Sequence, residues 1–408
     1  MFKCRSCGEA DTQVVLSLGH LPLANRLLTR SQLSEPEPVY PLELVFCPHC
    51  SLVQINVTIP PDTLFREYLY FSSFASTTLE SARKIAERMI QNRGLTENSQ
   101  VVEIASNDGY LLQFYQRAGI RVLGIEPAIN IAKVATEERG IRTLSEFFSL
   151  ELAKELHNGG VQADVIHANN VLAHVADLND FVDGIATLIK EDGIIVIEVP
   201  YLKETISRVE FDTIYHEHLC YFSLISLDTL FRRHGLIITD AENLSIHGGS
   251  LRIFACKNIR KLAPSPIVGS MMADEVELGM NDISFYRDFS AKVEHLRTDL
   301  QSVLKSLKNQ NKHIAAYGAS AKGSTLLNYF GIGHEHIDFI VDRSPVKQGL
   351  YTPGTHLPIY APEKLLEAMP EYVLLLTWNF ADEILLQQAE YRDRGGKFIL
   401  PLPEPLII

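Results

Sequence analysis

The sequence predicts an α/β protein in which two units of alternating strands and helices follow a small cysteine-rich segment. Three observations favour this fold class. Two C-x-x-C pairs lie within the first 50 residues, apolar strand-like and amphipathic helical segments alternate from about residue 78 onwards, and a second alternation starts near residue 313. Alternation of this kind is typical of parallel sheets with helices on both faces.

The composition limits the classes of partner. The 408 residues are 46% hydrophobic, which is enough for two or three domains with their own cores. The net charge of -13 argues against a nucleic-acid partner, which requires a basic face. The longest apolar runs, such as Ile194–Ile197, are far shorter than the roughly 20 residues of a membrane span. Because the first residues contain cysteines and no apolar signal region, we expect a cytoplasmic protein that does not bind membranes.

The paired cysteines predict a metal site. Two C-x-x-C knuckles supply four thiolates, which fill a tetrahedral zinc site without any other ligand. A redox dithiol or a set of free thiols is the alternative, although the thioredoxin-like context of a redox pair is missing. We expect the remaining two cysteines, Cys220 and Cys256, to lie in the core. The expected zinc ligands are Cys4, Cys7, Cys47 and Cys50.

The first α/β unit is predicted from hydrophobic periodicity. An amphipathic helix is expected over residues 78–90, and a long helical stretch over 272–309 separates this unit from the second. The second unit begins with K-H-I-A-A-Y-G-A-S-A-K-G, which indicates a strand, a glycine-containing turn and a helix. Within the first unit we predict strands at Val101–Ile104, Val122–Ile125, Val165–Ala168 and Ile194–Val199, with helices at 110–118, 128–139 and 178–190.

The turn after the first of these strands, A-S-N-D-G, suggests a cofactor site. Glu103 lies at the end of that strand and Glu126 at the end of the next, where an acidic side chain commonly accepts hydrogen bonds from ribose. The dinucleotide fingerprint G-x-G-x-x-G is absent, since only Gly109 remains of its glycines. This pattern favours a cationic cofactor without phosphate, such as S-adenosylmethionine, over a nicotinamide cofactor or an empty fold.

The third predicted strand of this unit ends in H-A-N-N-V-L-A-H. Asn169 and Asn170 would meet the pocket at the strand end, with His174 one helical turn further on. A helix cap and a buried structural histidine explain the same spacing equally well.

The sequence Y-H-E-H at 215–218 places four groups that exchange protons in consecutive positions. A histidine base, a carboxylate that fixes its tautomer and a tyrosine donor to an enolate oxygen would form an acid/base centre. His216 and His218 on one face of a strand would instead suit a metal, and a structural polar cluster is the third alternative.

Taken in order along the chain, these motifs resemble the nucleotide-sugar C-methyltransferase family, whose members add a branch methyl group to a ketodeoxysugar. The resemblance covers essentially the whole chain. The motifs that carry it are C-x-x-C, C-P-H-C, Y-L-Y-F-S-S, V-E-I-A-S-N-D-G, G-I-E-P, A-N-N-V-L-A-H, Y-H-E-H-x-x-Y-F-S, H-G-G-S-L-R and Y-G-A-S-A-K-G.

The resemblance implies three domains: a zinc-binding domain over residues 1–65, a class I S-adenosylmethionine-dependent methyltransferase domain with a Rossmann-like fold over 66–260, and a second Rossmann-like domain over 261–408. Zinc would be structural, and the last domain would help to bind the nucleotide sugar. A common form of the family has glycine at the position of Ala105. The cofactor-binding residues implied by the resemblance are Glu103, Ala105, Asn107, Asp108, Gly109, Glu126, Pro127 and Asn169.

The resemblance also implies catalytic residues. We expect His218 to be the base that forms the enolate, Glu217 to orient or charge it, and Tyr215 with His174 to stabilise the enolate oxygen. Tyr70 resembles a tyrosine that the N-terminal region contributes, although Tyr68 lies close to it in sequence.

The substrate diphosphate requires cations or amides. Ser320, Lys322 and Gly323 at a strand-to-helix turn, and Arg252 after H-G-G-S, are the candidates. A structural glycine turn with a solvated lysine is the alternative at the first position. We expect a dTDP-linked 4-keto-6-deoxysugar, methylated at C3 rather than C5, and a monomer is compatible with the sequence. An O- or N-methyltransferase and a non-catalytic zinc- and nucleotide-binding module are the alternative functions.

Overall fold

The computed structural model describes residues 2–65, 71–74, 76–260 and 262–408. Tyr68 and Tyr70, the two tyrosines expected near the catalytic cluster, lie outside the described residues. Among the helices that are described, none is both long enough and apolar enough to cross a bilayer.

The described strands fall into three sheets. In chain order they are β1 (Gln13–Pro22), β2 (Val39–Phe46), β3 (Val53–Ile55), β4 (Gln100–Ile104), β5 (Arg121–Ile125), β6 (Thr143–Leu144), β7 (Ala163–Asn169), β8 (Ile189–Pro200), β9 (Cys220–Tyr221), β10 (Leu236–Leu244), β11 (Ser250–Lys257), β12 (Ile314–Tyr317), β13 (Ile340–Val341), β14 (Ile359–Tyr360), β15 (Tyr372–Leu375), β16 (Lys397–Leu400) and β17 (Leu406–Ile407).

The helices pack mainly against the second and third sheets. They are α1 (Pro61–Phe65), α2 (Ser76–Arg93), α3 (Leu112–Arg117), α4 (Ile129–Glu137), α5 (Leu150–Asn158), α6 (Leu178–Leu188), α7 (Leu202–Ser207), α8 (Leu224–Arg233), α9 (Pro266–Glu277), α10 (Ser284–Asn309), α11 (Ala321–Phe330), α12 (Lys364–Ala368), α13 (Ala381–Gln387) and α14 (Ala389–Asp393).

The N-terminal sheet is antiparallel and has the order β1-β2-β3-β9. Its last strand comes from the segment that follows Y-H-E-H, so Val53 of β3 pairs with Tyr221. This pairing fixes the Y-H-E-H segment against the cysteine-rich segment, although more than 150 residues separate them in sequence.

The central sheet has seven strands in the order β10-β11-β8-β7-β4-β5-β6. The five strands from β8 to β6 are parallel, as the alternating pattern predicts. The prediction of an all-parallel sheet is wrong at one edge, because β11 and β10 are antiparallel additions to β8. These two strands follow each other through a tight Gly248–Gly249 connection and need no helical crossover.

The C-terminal sheet has six strands in the order β14-β13-β12-β15-β16-β17. All neighbours are parallel except β17, which is antiparallel to β16. The chain order reverses between β12 and β15, and in doubly wound sheets ligands bind at the carboxyl ends of the strands beside such a point.

The predicted continuous helical stretch over 272–309 is two helices in the structure. Gly279, with φ +82°, terminates α9: its amide bonds to Val276 O, and the next amide, of Met280, bonds to Glu275 O. This is a Schellman motif, which requires a left-handed residue that glycine adopts without a Cβ penalty.

Candidate functional site

The four N-terminal cysteines lie together on adjacent turns. Their sulfur atoms are all within 4.8 Å of one another, with 3.5 Å between Cys4 and Cys50 and 3.4 Å between Cys7 and Cys47. Four sulfurs around one zinc ion, at the usual Zn–S distance, are about 3.8 Å apart. The donor set and its spacing therefore fit a closed tetrahedral zinc site, and Gln54 Nε2 donates a hydrogen bond to Cys4 Sγ at 3.0 Å.

The turn after β4 is sharply folded. Ala105 and Asn107 have positive φ angles of +54° and +48°, and Gly109 has φ +76°. A Cβ atom on Gly109 would lie 2.4 Å from Ile141 Cδ1, so this position requires glycine. Ala105 occupies a conformation that glycine adopts more easily, which gives a physical reason for glycine at this position in the related family.

Three carboxylates surround this turn. Glu103, Asp108 and Glu126 are all buried, and Glu126 accepts hydrogen bonds from the amides of Asn107 and Ala128, both at 2.9 Å. Burial, together with Asp108 and Glu126, raises the pKa of Glu103 well above its usual range. Burial also raises the pKa of Glu126 to about 7, against the hydrogen bonds from Ala128 and Asn107. Among the residues that the structure describes, Asp108 has a cationic partner, because Arg139 Nη2 lies 3.0 Å from its Oδ2.

The orphaned acceptors around this turn test whether a cationic cofactor fits. Within the described part of the chain, neither oxygen of Glu103 has a hydrogen-bond partner, and Asp108 Oδ1 and Asn169 Oδ1 have none either. Buried acceptors without donors are costly unless a donor arrives. The α-ammonium and sulfonium groups of S-adenosylmethionine carry the missing positive charge and donors, so the residues present fit that cofactor. Pro127 is half-buried and lies between Glu126 and Ala128, whose amide donates a hydrogen bond back to Glu126 Oε1.

A cleft lies beside this turn at the carboxyl ends of β7 and β8. It is lined by Tyr110, Asn169 and Asn170 together with Ser81 and Thr78 of α2. Asn170 has φ +54° and donates its amide to Glu198 O at 2.7 Å, so the chain turns sharply out of β7. The two asparagines thus line the cleft as predicted from the strand end.

The Y-H-E-H segment forms a turn, not the strand that the metal interpretation assumed. His218 Nδ1 lies 2.8 Å from Thr213 O, and because a carbonyl only accepts, Nδ1 carries the proton. Nε2 is then the basic nitrogen, and Tyr215 donates its hydroxyl to it at 2.8 Å. Burial, His174 and Lys322 lower the pKa of His218 well below its usual range, so the ring is neutral at pH 7.

His174 lies beside this pair. Its ring centroid is 4.8 Å from that of His218, and the amide of Leu219 bonds to Ala173 O at 2.7 Å, which ties the two segments together. Burial lowers the pKa of His174 to about 4. The structure therefore brings His174, Tyr215 and His218 together, as expected from the sequence.

The other two members of the motif face the N-terminal segment. Glu217 Oε1 accepts a hydrogen bond from Asn25 Nδ2 at 2.8 Å, and His216 Nε2 donates to Pro41 O at 3.2 Å. The expectation that Glu217 orients His218 needs correction, because the partner of the His218 Nδ1 proton is the Thr213 carbonyl. His216, which had no assigned role, anchors the segment on β2. Among the described residues, the groups close enough to share a metal ion include neither histidine of the motif.

The strand-to-helix turn of the C-terminal unit faces the same cluster. Ala321, at the start of α11, packs against Tyr215 and Ala24. Ser320 caps the helix by accepting a hydrogen bond from the Gly323 amide at 3.0 Å. A Cβ atom on Gly323 would lie 2.8 Å from Leu376 Cβ, so Gly323 permits close packing of α11 on the sheet.

Of Ser320, Lys322 and Gly323, Lys322 is the residue with a charged side chain. Its Nζ lies 4.4 Å from the centroid of the Trp378 ring, and Trp378 Nε1 donates to Asp212 Oδ2 at 2.7 Å. Ser320 and Gly323 thus have structural tasks, whereas Lys322 carries the positive charge of this turn and opposes the rise in pKa that burial causes in the carboxyl groups of Glu210 and Asp212.

Arg252 is not the free cation that the sequence suggested. It is buried on β11, and its guanidinium donates to Glu198 Oε2 at 2.9 and 3.1 Å and to Glu242 Oε2 at 3.3 Å. A diphosphate would have to displace two carboxylates, so the assignment of Arg252 to the diphosphate is corrected: its contacts hold β8, β10 and β11 together.

Sequence reasoning missed three residues of this site: Asn25, Thr213 and Trp378. Asn25 follows the apolar L-P-L-A, far from any recognised motif, and Thr213 acts through its backbone. Trp378 could have been found, because it is the only tryptophan and follows the strand Y-V-L-L-L-T at the ligand-binding edge of the sheet.

Family comparisons divide the chain in a consistent way. Residues 4–65 match a family described as "Putative zinc binding domain", residues 74–241 match "Methyltransferase domain", and residues 245–403 match "C-methyltransferase C-terminal domain". The four cysteines lie in the first match and Y-H-E-H in the second.

Some individual proteins match parts of the chain. The Ubiquinone biosynthesis O-methyltransferase of Bartonella tribocorum is 29% identical over 101 residues, which cover 25% of this chain and 41% of that protein. Among solved structures, magnesium protoporphyrin IX methyltransferase from Synechocystis PCC 6803 with bound S-adenosylmethionine has a TM-score of 0.34 and 12% identity, covering 44% of this chain and 79% of that one.

A relative of full length is also found. The C-methyltransferase NovU of Streptomyces niveus is 38% identical over 406 residues, which cover 100% of this chain and 96% of NovU. The matched region spans the zinc-binding segment, the turn after β4 and the Y-H-E-H segment. The protein therefore belongs to the C-methyltransferase family and is an S-adenosylmethionine-dependent C-methyltransferase with a zinc-binding N-terminal domain.

Proposed function

We propose that this enzyme removes a proton from the carbon next to the ketone of a nucleotide-linked 4-keto-6-deoxysugar and methylates that carbon. C3 is favoured over C5, and dTDP is the favoured nucleotide. The observation that carries the proposal is the geometry of His218. Its Nδ1 proton is held by Thr213 O at 2.8 Å, which leaves Nε2 as the base, with the Tyr215 hydroxyl beside it.

The proton transfer follows from this arrangement. A carbon next to a ketone loses a proton only when the resulting enolate oxygen is stabilised. Nε2 of His218 takes the proton and becomes an imidazolium, while the electron pair of the C–H bond moves into the enolate. Tyr215, released from Nε2, and His174 donate to the developing oxygen charge. The bound cofactor supplies the electrophilic methyl group.

The cofactor contacts are proposed from the same turn. Glu103 and Asn169 would accept from the α-ammonium group, and Glu126 from the ribose hydroxyls, with Ala105, Asn107 and Gly109 shaping the backbone around them. Asp108 and Pro127 support this turn. The burial of three acids around one turn favours a cation, because Asp108 and Glu126 raise the pKa of Glu103 when no cation is bound.

The sugar nucleotide would bind between the central and C-terminal units. Lys322 Nζ would receive the diphosphate, with Ser320 and Gly323 forming the start of the helix that faces it. This use of the C-terminal sheet supports a division of the chain into domains at residues 1–65, 66–260 and 261–408. Tyr70 or Tyr68 would complete the catalytic cluster from the N-terminal side.

Solvent-exchange measurements test the proposal. The enzyme is incubated with dTDP-4-keto-6-deoxysugars in D2O under conditions without methyl transfer. Deuterium should then be incorporated at the carbon that the complete reaction methylates. His218→Ala should abolish exchange and turnover while S-adenosylhomocysteine still binds. Near-normal turnover in that variant would refute the role of His218. Methylation at oxygen or nitrogen, detected by NMR of the product, would refute the substrate assignment.

A further inference from the structure

The Thr213 carbonyl oxygen is the point on which the geometry of His218 depends. It accepts the Nδ1 proton of His218 at 2.8 Å and the hydroxyl of Tyr221 at 3.3 Å. Thr213 ends the 3-10 turn Phe211–Thr213, so the direction of its carbonyl is set by the conformation of that turn. A rotation of this peptide group would remove the acceptor that keeps the proton on Nδ1.

The turn is held by the C-terminal unit. Asp212 is 0% exposed, and its Oδ2 accepts a hydrogen bond from the indole Nε1 of Trp378 at 2.7 Å. The ring of Phe211 stacks on Phe330 of α11 with 4.6 Å between centroids. Two consecutive residues of the turn are thus anchored on two different elements of the C-terminal unit.

Trp378 is itself held in place. It lies in the 3-10 turn Trp378–Phe380 after β15, and the ammonium of Lys322 lies over its ring at 4.4 Å. The indole N–H is a donor only, so Asp212 fixes which edge of the ring faces the turn. Burial raises the pKa of Asp212, while Lys322 and the indole N–H oppose that rise and favour the carboxylate.

We propose that Trp378 and Asp212 are positioning residues for His218, acting through the Thr213 carbonyl. This inference rests on the proposed role of His218 as the base. An imidazole that carries its proton on Nε2 has no lone pair at that atom and accepts no proton from the substrate. The C-terminal unit therefore contributes to proton abstraction as well as to substrate binding.

Paired substitutions at the two positions test the inference. Trp378→Phe keeps an aromatic face over Lys322 and removes the N–H donor. Asp212→Ala removes the acceptor, while Asp212→Asn keeps an oxygen that accepts from the indole. We expect deuterium exchange into the ketosugar to fall roughly tenfold or more in Trp378→Phe and Asp212→Ala, with KM changed little, and to be largely rescued in Asp212→Asn.

A matched control and a spectroscopic signature separate positioning from folding. Tyr391→Phe removes a buried hydrogen bond of 2.6 Å to Pro370 O in the same unit and should leave exchange unchanged. 15N NMR of histidine-labelled enzyme, assigned with His218→Gln, should show the Nδ1-protonated form of His218 in the wild type and a mixture of tautomers in Trp378→Phe.

The outcomes are distinct. If the wild type exchanges no deuterium, the proposed function fails, and the NMR signature still tests the inference. If Trp378→Phe exchanges at the wild-type rate with its tautomer intact, the inference is overturned. Equal losses in Asp212→Asn and Asp212→Ala would overturn it too, and this pair decides the question if Trp378→Phe does not fold.

Discussion

Asn25 Nδ2 donates a hydrogen bond to Glu217 Oε1 at 2.8 Å, and this contact joins the zinc-binding segment to the Y-H-E-H segment. Asn25 lies in the turn after β1, between the two C-x-x-C pairs. Leu28 of the same turn forms a bridge with Tyr351 of the C-terminal unit. One short turn thus contacts both other parts of the molecule beside the site of chemistry.

Because a hydrogen bond to a carboxylate contributes roughly 1.5–3 kcal/mol to a conformation, we expect Asn25→Ala to loosen the turn that carries Tyr215 and His218 and so to lower turnover about tenfold. Zinc content and cofactor affinity should be unchanged. Asn56→Ala is the matched control. Asn56 Nδ2 donates a hydrogen bond of 2.7 Å to Glu43 Oε2, and this contact does not involve Glu217. Steady-state kinetics on both variants give the comparison, and equal effects would show that the contact with Glu217 has no special role.

Loss of the zinc site should affect both stability and catalysis. Cys47→Ser removes one of four ligands, so we expect zinc loss by atomic absorption and a destabilisation of about several kcal/mol in chemical denaturation. Turnover should fall further than in Asn25→Ala, because the whole turn that carries Asn25 is released. Cys256→Ala, outside the cluster, should keep one zinc ion per chain. Full activity in zinc-free enzyme would contradict this coupling.

Ala105→Gly should stabilise the protein. Ala105 has φ +54°, and a left-handed conformation costs a residue with a Cβ roughly 1–3 kcal/mol, partly offset by the greater chain entropy of glycine. We expect a net gain of about 0.5–1 kcal/mol and cofactor affinity at least equal to that of the wild type. Ala128→Gly is the control, because Ala128 has φ -76° and carries no such strain. Urea denaturation should show opposite signs for the two variants.

Cofactor binding should release protons. Without the cofactor, burial raises the pKa of Glu103 well above its usual range and that of Glu126 to about 7, so burial favours the protonated form of each carboxyl group. A cation favours their ionised forms, so affinity should rise as the pH increases towards and above 7. Calorimetry of S-adenosylmethionine binding in buffers of different ionisation enthalpy measures the release. Glu103→Gln should reduce it, and proton uptake in the wild type would contradict the assignment.

The stability of the free enzyme should change with pH in the opposite sense. The pKa of Glu126 is about 7 in the folded protein, whereas an unperturbed glutamate has a pKa of 4.5, so folding favours the protonated form. Its contribution is fully present below about pH 4.5 and is lost as the pH rises through 7. Denaturation with and without S-adenosylhomocysteine should show that the ligand has a larger stabilising effect at pH 8 than at pH 6.

Local sequence patterns predicted those parts of the site that depend on short-range geometry. Each predicted part lies within a few residues of the strand or turn that positions it. This is true of the cysteine knuckles, of the acidic residues at the ends of β4 and β5, and of the Tyr215–His218 pair. The parallel core of the central sheet follows from hydrophobic periodicity for the same reason. The antiparallel direction of β10 and β11 was not predicted, because hydrophobic periodicity does not specify strand direction.

The residues that were missed act across long distances in sequence. Trp378 meets Asp212, and Asn25 meets Glu217, only after three separate sheets have assembled. The Thr213 carbonyl carries no side-chain signal at all. Arg252 has the residue type of a phosphate ligand, but its two carboxylate partners on neighbouring strands become visible only from strand register.

The packing of Tyr215 between Ala24 and Ala321 limits how this enzyme can be recombined. Each of the three sheets belongs to a separate unit, and each unit supplies one residue to this contact. The N-terminal unit supplies Ala24, the central unit Tyr215 and the C-terminal unit Ala321. A chimera that imports a C-terminal unit with a bulky residue at position 321 would displace the Tyr215 hydroxyl from His218. Engineering a new substrate preference by exchange of that unit therefore requires the three contact residues to be transferred as a set.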